Sequence, residues 1–449
     1  MAAEADVDRL SDLPDAVLVS ILSLLPLDEA ARCTVLAARW RRLFPSTLLL
    51  DFNACMPSRR SVIRAVYSIL AAHPAAPVRS FRADRRFRLH KDPSAGLWLR
   101  ELARRGLEEL SLDFDNYCGS RWIPESLFAC ASLRRLRLSN CVFPDAPEAA
   151  AAPPLPHLTE VDLWSVSICD GDLKLLRSLC PALERLKMKG VNECGRVHVR
   201  SPSLKTLNTD GNFDELFIDY APNLEWVFGM YPRGGSGRGV HLKVVHAPKL
   251  EFLGYLGMNM KAIEIGATIF TEDQIDVKTL MPSLKTLGIR VSYTHDGYIN
   301  WIMQLLKLFP CLETLYIKSD TWSIIQDPTP ESWDVLGHVP CIDSHLKKVV
   351  FEVNRGHEWQ REMAKFIHGR SRFLEAMEFY CVDDSGSPGH FKRPSVEWAR
   401  NQQELLCLDS RASKNARFLF FKGQLVANHQ DICHHEWYKR KYYDDLFEI

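Results

Sequence analysis

Residues able to do chemistry are plentiful in this sequence, but their spacing fits no catalytic template. A zinc peptidase needs His-Glu-x-x-His, which puts two imidazoles one helical turn apart, and a nucleophile-elbow hydrolase needs Gly-x-Ser-x-Gly; neither string occurs. Thirteen cysteines run from Cys33 to Cys433, an odd number with no Cys-x-x-Cys pair, so they read neither as a zinc ribbon nor as a disulfide framework. A cysteine nucleophile would need a His partner distant in the chain, and nothing selects one. His429, Cys433, His434 and His435 have metal-ligand chemistry but sit in a polar tail with no second ligand set. The segment PRGGSGRG at 232–239 has neither the Gly-Lys-Ser/Thr of a phosphate-binding loop nor a strand-to-helix context, and reads as a surface loop. No catalytic residue, metal site or cofactor is expected. What remains is the chemistry of adhesion.

Charge narrows the partners. Lys and Arg total 56 and so do Asp and Glu, so no net field draws the chain to nucleic acid or an anionic membrane. A local basic run, Arg79, Arg82, Arg85, Arg86, Arg88 and Lys91, is interrupted only by Asp84 and Asp92. Its alternation, FRADRRFRLH with Phe81, Phe87 and Leu89 between arginines, fits a strand with one wet face better than a nucleic-acid patch. No membrane span is expected, since no apolar run is long enough, and the acidic start MAAEADVDRL predicts no secretory signal. Scattered thiols fit a reducing compartment, the nucleus and/or cytoplasm. At 449 residues the chain is too long for one compact core, although repeat architectures escape that ceiling.

Residues 8–52 predict a helical unit with more apolar surface than it can bury. Asp12 is placed to cap a helix starting near Leu13-Pro14, where proline is tolerated because first-turn N–H groups are unpaired anyway. Leu13, Val17, Ile21 and Leu24 recur at helical spacing, and Leu18, Leu22 and Leu25 make a second stripe, so the helix is apolar around most of its circumference. Pro26 stops it, Asp28 caps a short second helix carrying Val35 and Leu36, and Trp40, Leu43 and Phe44 follow on a segment with Arg39, Arg41 and Arg42. A unit of about 40 residues cannot hide that surface alone, which makes it a docking module.

The string LSDLPDAVLVSILSLLPLDEAARCTVLAARWRRL resembles an F-box, through Leu13-Pro14, Leu25-Pro26, Leu36 and Trp40-Arg41; Ala37 departs from the Ser of many plant members. The resemblance implies that the module binds the Skp adaptor of a Skp-cullin-F-box ubiquitin ligase and, through it, a cullin. By motif position it assigns that contact to Leu13, Pro14, Ile21, Leu25, Pro26, Leu36 and Trp40. Some of these, Ile21 and Leu36 especially, serve equally well as core of the unit.

Residues 53–106 predict helices over 61–72 and 98–107 on either side of the basic strand. From Leu107 an internal repeat takes over: Pro-x-Leu-x-x-Leu, or a close variant, returns at Pro156, Pro181, Pro202, Pro222, Pro248, Pro282 and Pro310. The first leucines, Leu107, Leu133, Leu158, Leu183, Leu204, Leu224, Leu250, Leu284 and Leu312, are separated by 26, 25, 25, 21, 20, 26, 34 and 28 residues. Most of these spacings suit leucine-rich repeats, and LRRLRLSNC at 133–141 matches the full repeat pattern. Proline biases its neighbour to extended backbone, the following Leu-x-Leu points two side chains into a core, and no unit can hide them without stacking on the next. The spacings of 34 and 28 imply that some turns carry insertions, and PDAPEAAAAPPLP at 144–156 reads as a Pro/Ala loop between strands.

Repeat proteins bind partners on the outward positions of such strands. Here these include Arg137, Asp162, Trp164, Lys187, Lys189, Asn208, Arg290, Tyr316 and Lys318, a mixture that suits a protein target, with Trp164 and Tyr316 as anchors.

The repeat period continues from Leu346 to Leu374 through HLKKVVFEV, a helix in GHEWQREMAKFIHGR with Met363, Phe366 and Ile367 inward, and FLEAMEFYC. With LLCLDSRASKNARFLFF these phrases resemble the FBD region of plant F-box/LRR/FBD proteins, which physically can cap the open end of a solenoid. The expected fold is α/β: a three-helix F-box (8–52), a connection (53–106), an irregular leucine-rich-repeat solenoid (107–335), an FBD-like α/β cap (336–421) and a tail (422–449). The expected function is that of a non-catalytic ligase receptor whose repeat face holds a target protein for ubiquitination. The alternative is an interaction scaffold that recruits no ligase.

Overall fold

Each repeat phrase becomes a tight turn that feeds a short parallel strand. At Leu183, Leu224, Leu250, Leu284 and Leu312 the leucine N–H closes a turn on the carbonyl three residues back, at 3.1–3.4 Å, and Pro181, Pro222, Pro248, Pro282 and Pro310 occupy the second turn position, whose φ proline already has. The leucine that follows is buried in every one of the nine repeats. The computed structural model describes residues 12–25, 27–46, 49–51, 68, 70–71, 77–83, 95–114, 123–143, 155–170, 180–192, 194–210, 213–229, 239–257, 260–271, 275–291, 298–319, 337–382 and 394–422. They divide into two units, residues 1–195 and 196–449.

The first unit opens with three helices, α1 (Asp15–Leu24), α2 (Leu27–Cys33) and α3 (Ala38–Leu43). Six parallel strands follow: β1 (Leu49–Asp51), β2 (Ser80–Ala83), β3 (Glu109–Asp113), β4 (Arg135–Ser139), β5 (Glu160–Trp164) and β6 (Arg185–Lys189), each paired to the next. Their register stacks Leu110, Leu136, Val161 and Leu186 in one interior row and Leu112, Leu138, Leu163 and Met188 in another. Each such buried side chain contributes roughly 2 kcal/mol of transfer free energy. After β4, β5 and β6 the chain turns through the left-handed region at Asn140, Ser165 and Gly190, the same place in three successive repeats. Asn and Gly tolerate that region and so suit a position the repeat geometry imposes.

The helix expected over 98–107 is α4 (Ala95–Arg104), which buries Trp98, Leu99 and Leu102. It ends before Gly106, which adopts φ 78°. Of the basic run only Arg79 and Arg82 are described: Arg82 faces outward on β2 between buried Phe81 and Ala83, as the alternation predicts. Most of the helix expected over 61–72, the rest of the run, the loops at 144–154 and 232–238, and the tail with its His/Cys cluster lie outside the described residues.

The second unit winds between two sheets. Strands β7 (Arg196–Arg200), β9 (Glu215–Tyr220), β11 (Val240–Val244) and β13 (Met260–Ile265) pair in parallel, and β14 (Thr268–Phe270) and β15 (Ile275–Asp276) extend that sheet antiparallel. Between them the chain crosses to β8 (Thr206–Asp210), β10 (Trp226–Phe228) and β12 (Phe252–Leu256) of the other sheet. That sheet continues through β16 (Thr286–Val291), β17 (Thr314–Ser319), β18 (Lys348–Asn354), β19 (Ala376–Cys381) and β20 (Arg417–Lys422). The repeats of 21 and 20 residues fall where a strand, not a helix, returns the chain. Helices take over that role later as α5 (Tyr298–Leu306), α6 (Pro340–Ser344), α7 (Glu358–Arg370) and α8 (Val396–Leu405). On α7, Met363 and Ile367 face the core as expected, whereas Phe366 is only half-buried and carries the Arg370 guanidinium 4.6 Å from its ring.

Candidate functional site

In the three-helix unit the two apolar stripes of α1 are buried unequally. Leu18 and Leu22 turn inward and make a core with Ala30, Trp40 and Leu43. Leu13, Val19, Ile21, Leu25, Cys33, Ala37 and Phe44 pack half-buried around it. Val17 and Leu24, from the other stripe, stay in solvent, Leu24 at 83% exposure. Helix α2 ends at Cys33, earlier than expected, so Val35 and Leu36 lie in the following turn, 80% and 74% exposed. Covering such side chains is worth roughly 1.5–3 kcal/mol each, and the unit leaves them uncovered.

Arg39 fixes this arrangement. Its guanidinium donates to Asp15 Oδ1 at 2.8 Å and to the Leu13 carbonyl at 2.6 Å, tying α3 to the start of α1. Pro14 is the N-cap of α1 and no side chain caps it, so the Asp12 cap does not form; the helix starts at Asp15, three residues beyond Asp12. Helix α2 likewise begins at Leu27, which puts Asp28 inside its first turn.

The residues assigned by motif position therefore separate. Pro14 and Leu36 are exposed, Leu13, Ile21 and Leu25 are half-buried, and Pro26 lies outside the described residues. Trp40 is 5% exposed and fills the core, so it supports the exposed surface from beneath. Val17, Leu24 and Val35 were not assigned by the motif. Their signal was the Leu13, Val17, Ile21, Leu24 spacing, together with a second helix too short to bury Val35.

The outward strand positions form two faces of different character. On the first unit acidic and basic strands alternate: Glu109, Arg135, Glu160 and Arg185 share one row, and Ser111, Arg137, Asp162 and Lys187 the next. Arg135 pairs with Glu109, Arg185 with Glu160 at 3.0 Å, and Arg137 with Asp162 at 3.1 Å. Trp164 is exposed, with the Lys189 ammonium 4.5 Å from its ring centroid. On the second unit the outward side chains bury one another. Phe228, Phe252 and Tyr255 cluster with Trp226 and Tyr316, and Val350 and Tyr380 with Tyr316 and Phe421. Gly288 admits the Tyr255 ring, since a Cβ there would lie 3.0 Å from it.

Tyr255 donates its hydroxyl to Glu352, whose carboxylate is fully buried and lies 3.8 Å from the Lys318 ammonium. Burial holds the Glu352 carboxyl above the usual carboxylate range, opposed by Lys318 and the Tyr255 bond. Tyr316 and Lys318 are thus engaged within the unit, Asn208 is buried, and Arg290 is half-buried. Arg137, Asp162, Trp164, Lys187 and Lys189 remain on an open face.

Among the described residues no group of three His, Cys, Asp or Glu side chains could hold a metal. Burial pushes the thiols of Cys130, Cys180, Cys341 and Cys381 up to about 12, which keeps them protonated and unreactive.

Residues 95–317 match the family model described as FBD-associated F-box protein At5g56370, LRR repeats, and residues 336–379 match the FBD model. FBD-associated F-box protein At4g10400 of Arabidopsis thaliana is 30% identical over 80% of this chain and 90% of its own length. F-box/FBD/LRR-repeat protein At4g26340 of the same plant is 25% identical over 89% of this chain and all of its own. F-box/FBD/LRR-repeat protein At1g13570 shares 28% identity over 48% of this chain and 52% of its own, so the chain spans about half the length of some curated relatives it matches. A leucine-rich-repeat protein of Leptospira interrogans superposes with TM-score 0.29 at 13% identity, covering 83% of this chain and 96% of that one.

Proposed function

Because this chain belongs to the plant family of FBD-associated F-box proteins with leucine-rich repeats, we propose that it is the non-catalytic substrate receptor of a Skp-cullin-F-box ubiquitin ligase, acting inside the cell in the nucleus and/or cytoplasm. The observation that carries this reading is the uncovered aliphatic surface of the three-helix unit, Val17 and Leu24 on α1 and Val35 and Leu36 in the turn after α2. A Skp adaptor that covers these side chains recovers the transfer free energy the unit leaves unused.

The mechanism is proximity. The F-box ties the chain to the ligase while the repeats hold a target, which raises the effective concentration of target lysines near a ubiquitin-loaded conjugating enzyme. This division of labour asks no bond chemistry of the chain itself.

The test is a pull-down of purified Skp adaptor and cullin by the intact chain, beside one lacking residues 1–47. That boundary spares β1, which pairs with β2 and belongs to the sheet. Retention by the intact chain alone supports the receptor reading. Retention by neither supports the scaffold alternative.

A further inference from the structure

We infer that arginine standing in for lysine shields this chain from its own ligase: the unit that folds with the F-box offers a ubiquitin-loaded conjugating enzyme almost no acceptor amine. This rests on the substrate-receptor reading and specifies how the receptor escapes the modification it directs at a target.

The cations are unevenly distributed. Residues 1–173 hold twenty arginines and a single lysine, Lys91, whereas residues 174–449 hold sixteen arginines and nineteen lysines. The first stretch lies in the same compact unit as the three F-box helices. A lysine there would accompany the ligase for as long as the complex lasts, while a target comes and goes.

Packing does not dictate the choice. Successive repeats are joined by one backbone ladder, in which the Glu108 N–H donates to the Arg79 carbonyl and the Arg134 N–H to the Glu108 carbonyl. The second unit repeats it: the Glu313 N–H donates to the Lys285 carbonyl and the Lys347 N–H to the Glu313 carbonyl, all four bonds being 2.7–2.9 Å. Side chains at these matched positions form the same cluster. Glu108 lies between Arg79 at 3.7 Å and Arg134 at 3.9 Å, and Glu313 between Lys285 at 3.3 Å and Lys347 at 2.8 Å. The four cations are 44–59% exposed, so an ammonium serves this solvent-screened pairing as well as a guanidinium. Arg104 on α4, 81% exposed, likewise meets Glu101 only at 3.5 Å, and Lys equals Arg in helix propensity. Where the planar fork is needed it is visible: Arg39 holds Asp15 and the Leu13 carbonyl, and Arg105 holds Glu101 and the Leu70 carbonyl.

Arginine keeps the charge and removes the reaction. To accept ubiquitin, a lysine ammonium first gives a proton to solvent, and its Nζ then attacks the thioester carbonyl of the loaded enzyme. An isopeptide C–N bond forms as the C–S bond breaks, and a second proton passes from nitrogen to the departing sulfur, which restores the enzyme's thiol. A guanidinium stays protonated and has no lone pair for that attack.

The experiment assembles the full-length chain with purified Skp adaptor, cullin core and ubiquitin-loaded conjugating enzyme, without a target, and follows self-ubiquitination with mass-spectrometric mapping. Discharge of the thioester onto free lysine shows that each assembly is active. The double variant Arg79→Lys, Arg134→Lys keeps the cluster around Glu108 and should melt like the parent. It should carry ubiquitin at both substituted positions and be modified about twofold faster or more, and Arg104→Lys should be modified at position 104 in the same way. The control Arg79→Gln, Arg134→Gln should match the parent. Substituted positions left unmodified in an active assembly overturn the inference, as does an equal rise in the control, which would make loss of the ion pairs the cause. Adaptor pull-down separates the two readings: a parent that retains no adaptor sinks both, whereas retention with no effect of the added lysines sinks this inference alone.

Discussion

At the scale of single residues, identity and environment part company at instructive places. Trp40 and Leu36 belong to the same F-box motif, yet one is core and the other is solvent-exposed. Composition ranks both as apolar, and only the early end of α2 decides which is left uncovered. The Tyr255–Glu352 bond was illegible in the sequence, because nothing local links residues 97 apart on different repeats. Gly229 was equally silent, though its position follows from the winding. It follows β10 at φ 106°, its N–H donates to the Gly254 carbonyl at 2.9 Å, and a Cβ there would lie 2.3 Å from the Thr209 carbonyl oxygen. Gly229→Ala should therefore destabilise the second unit by about 3 kcal/mol or more, adding a clash to backbone strain of order 1–3 kcal/mol. Urea unfolding of the full chain reads this directly, and an unchanged midpoint would show that the turn relaxes freely.

At the scale of elements, the strands were the most legible part, since Leu-x-Leu after proline fixes both the turn and the inward row. The second sheet was hidden: RVHVR, ELFIDY and VHLKV alternate as strands do, but the repeat phrase does not include them. For RVHVR and ELFIDY the trace was the shortened spacing of 21 and 20 residues, too few for a returning helix, whereas VHLKV sits within a 26-residue spacing that gives no such sign. Helix α7 carries a pH dependence. Its His368 is fully buried, with Nε2 3.0 Å from the Leu406 carbonyl and the ring edge-on to Phe418, and burial holds the imidazole below its ordinary value. The unfolded chain then binds more protons than the folded one between that lowered value and about 6.5. His368 accordingly contributes stability above pH of about 6.5 that is lost as pH falls toward the folded value, with a slope of at most about 1.4 kcal/mol per pH unit. His368→Gln keeps a donor toward Leu406 and removes the titration. Melts of the two proteins from about pH 8 to 5 should converge at the acid end; parallel curves would contradict the assignment.

At the scale of the whole molecule, the order of F-box, repeats and FBD was readable from the chain because each part repeats or clusters its own apolar code. The division into two units with unlike outward faces was not, since it depends on which side chains meet across strands. The proposed receptor role rests on the three-helix unit offering its uncovered aliphatic surface to a Skp adaptor. The most direct test is calorimetric titration of purified adaptor into the full-length chain and into a Leu24→Asp, Leu36→Asp double variant. Both side chains are largely in solvent, so the melting temperature should barely change. Affinity should fall on the order of a hundredfold or more, as expected when two apolar anchors are replaced by charges that the interface must desolvate. A double variant that melts like the parent and binds adaptor as tightly would contradict the claim.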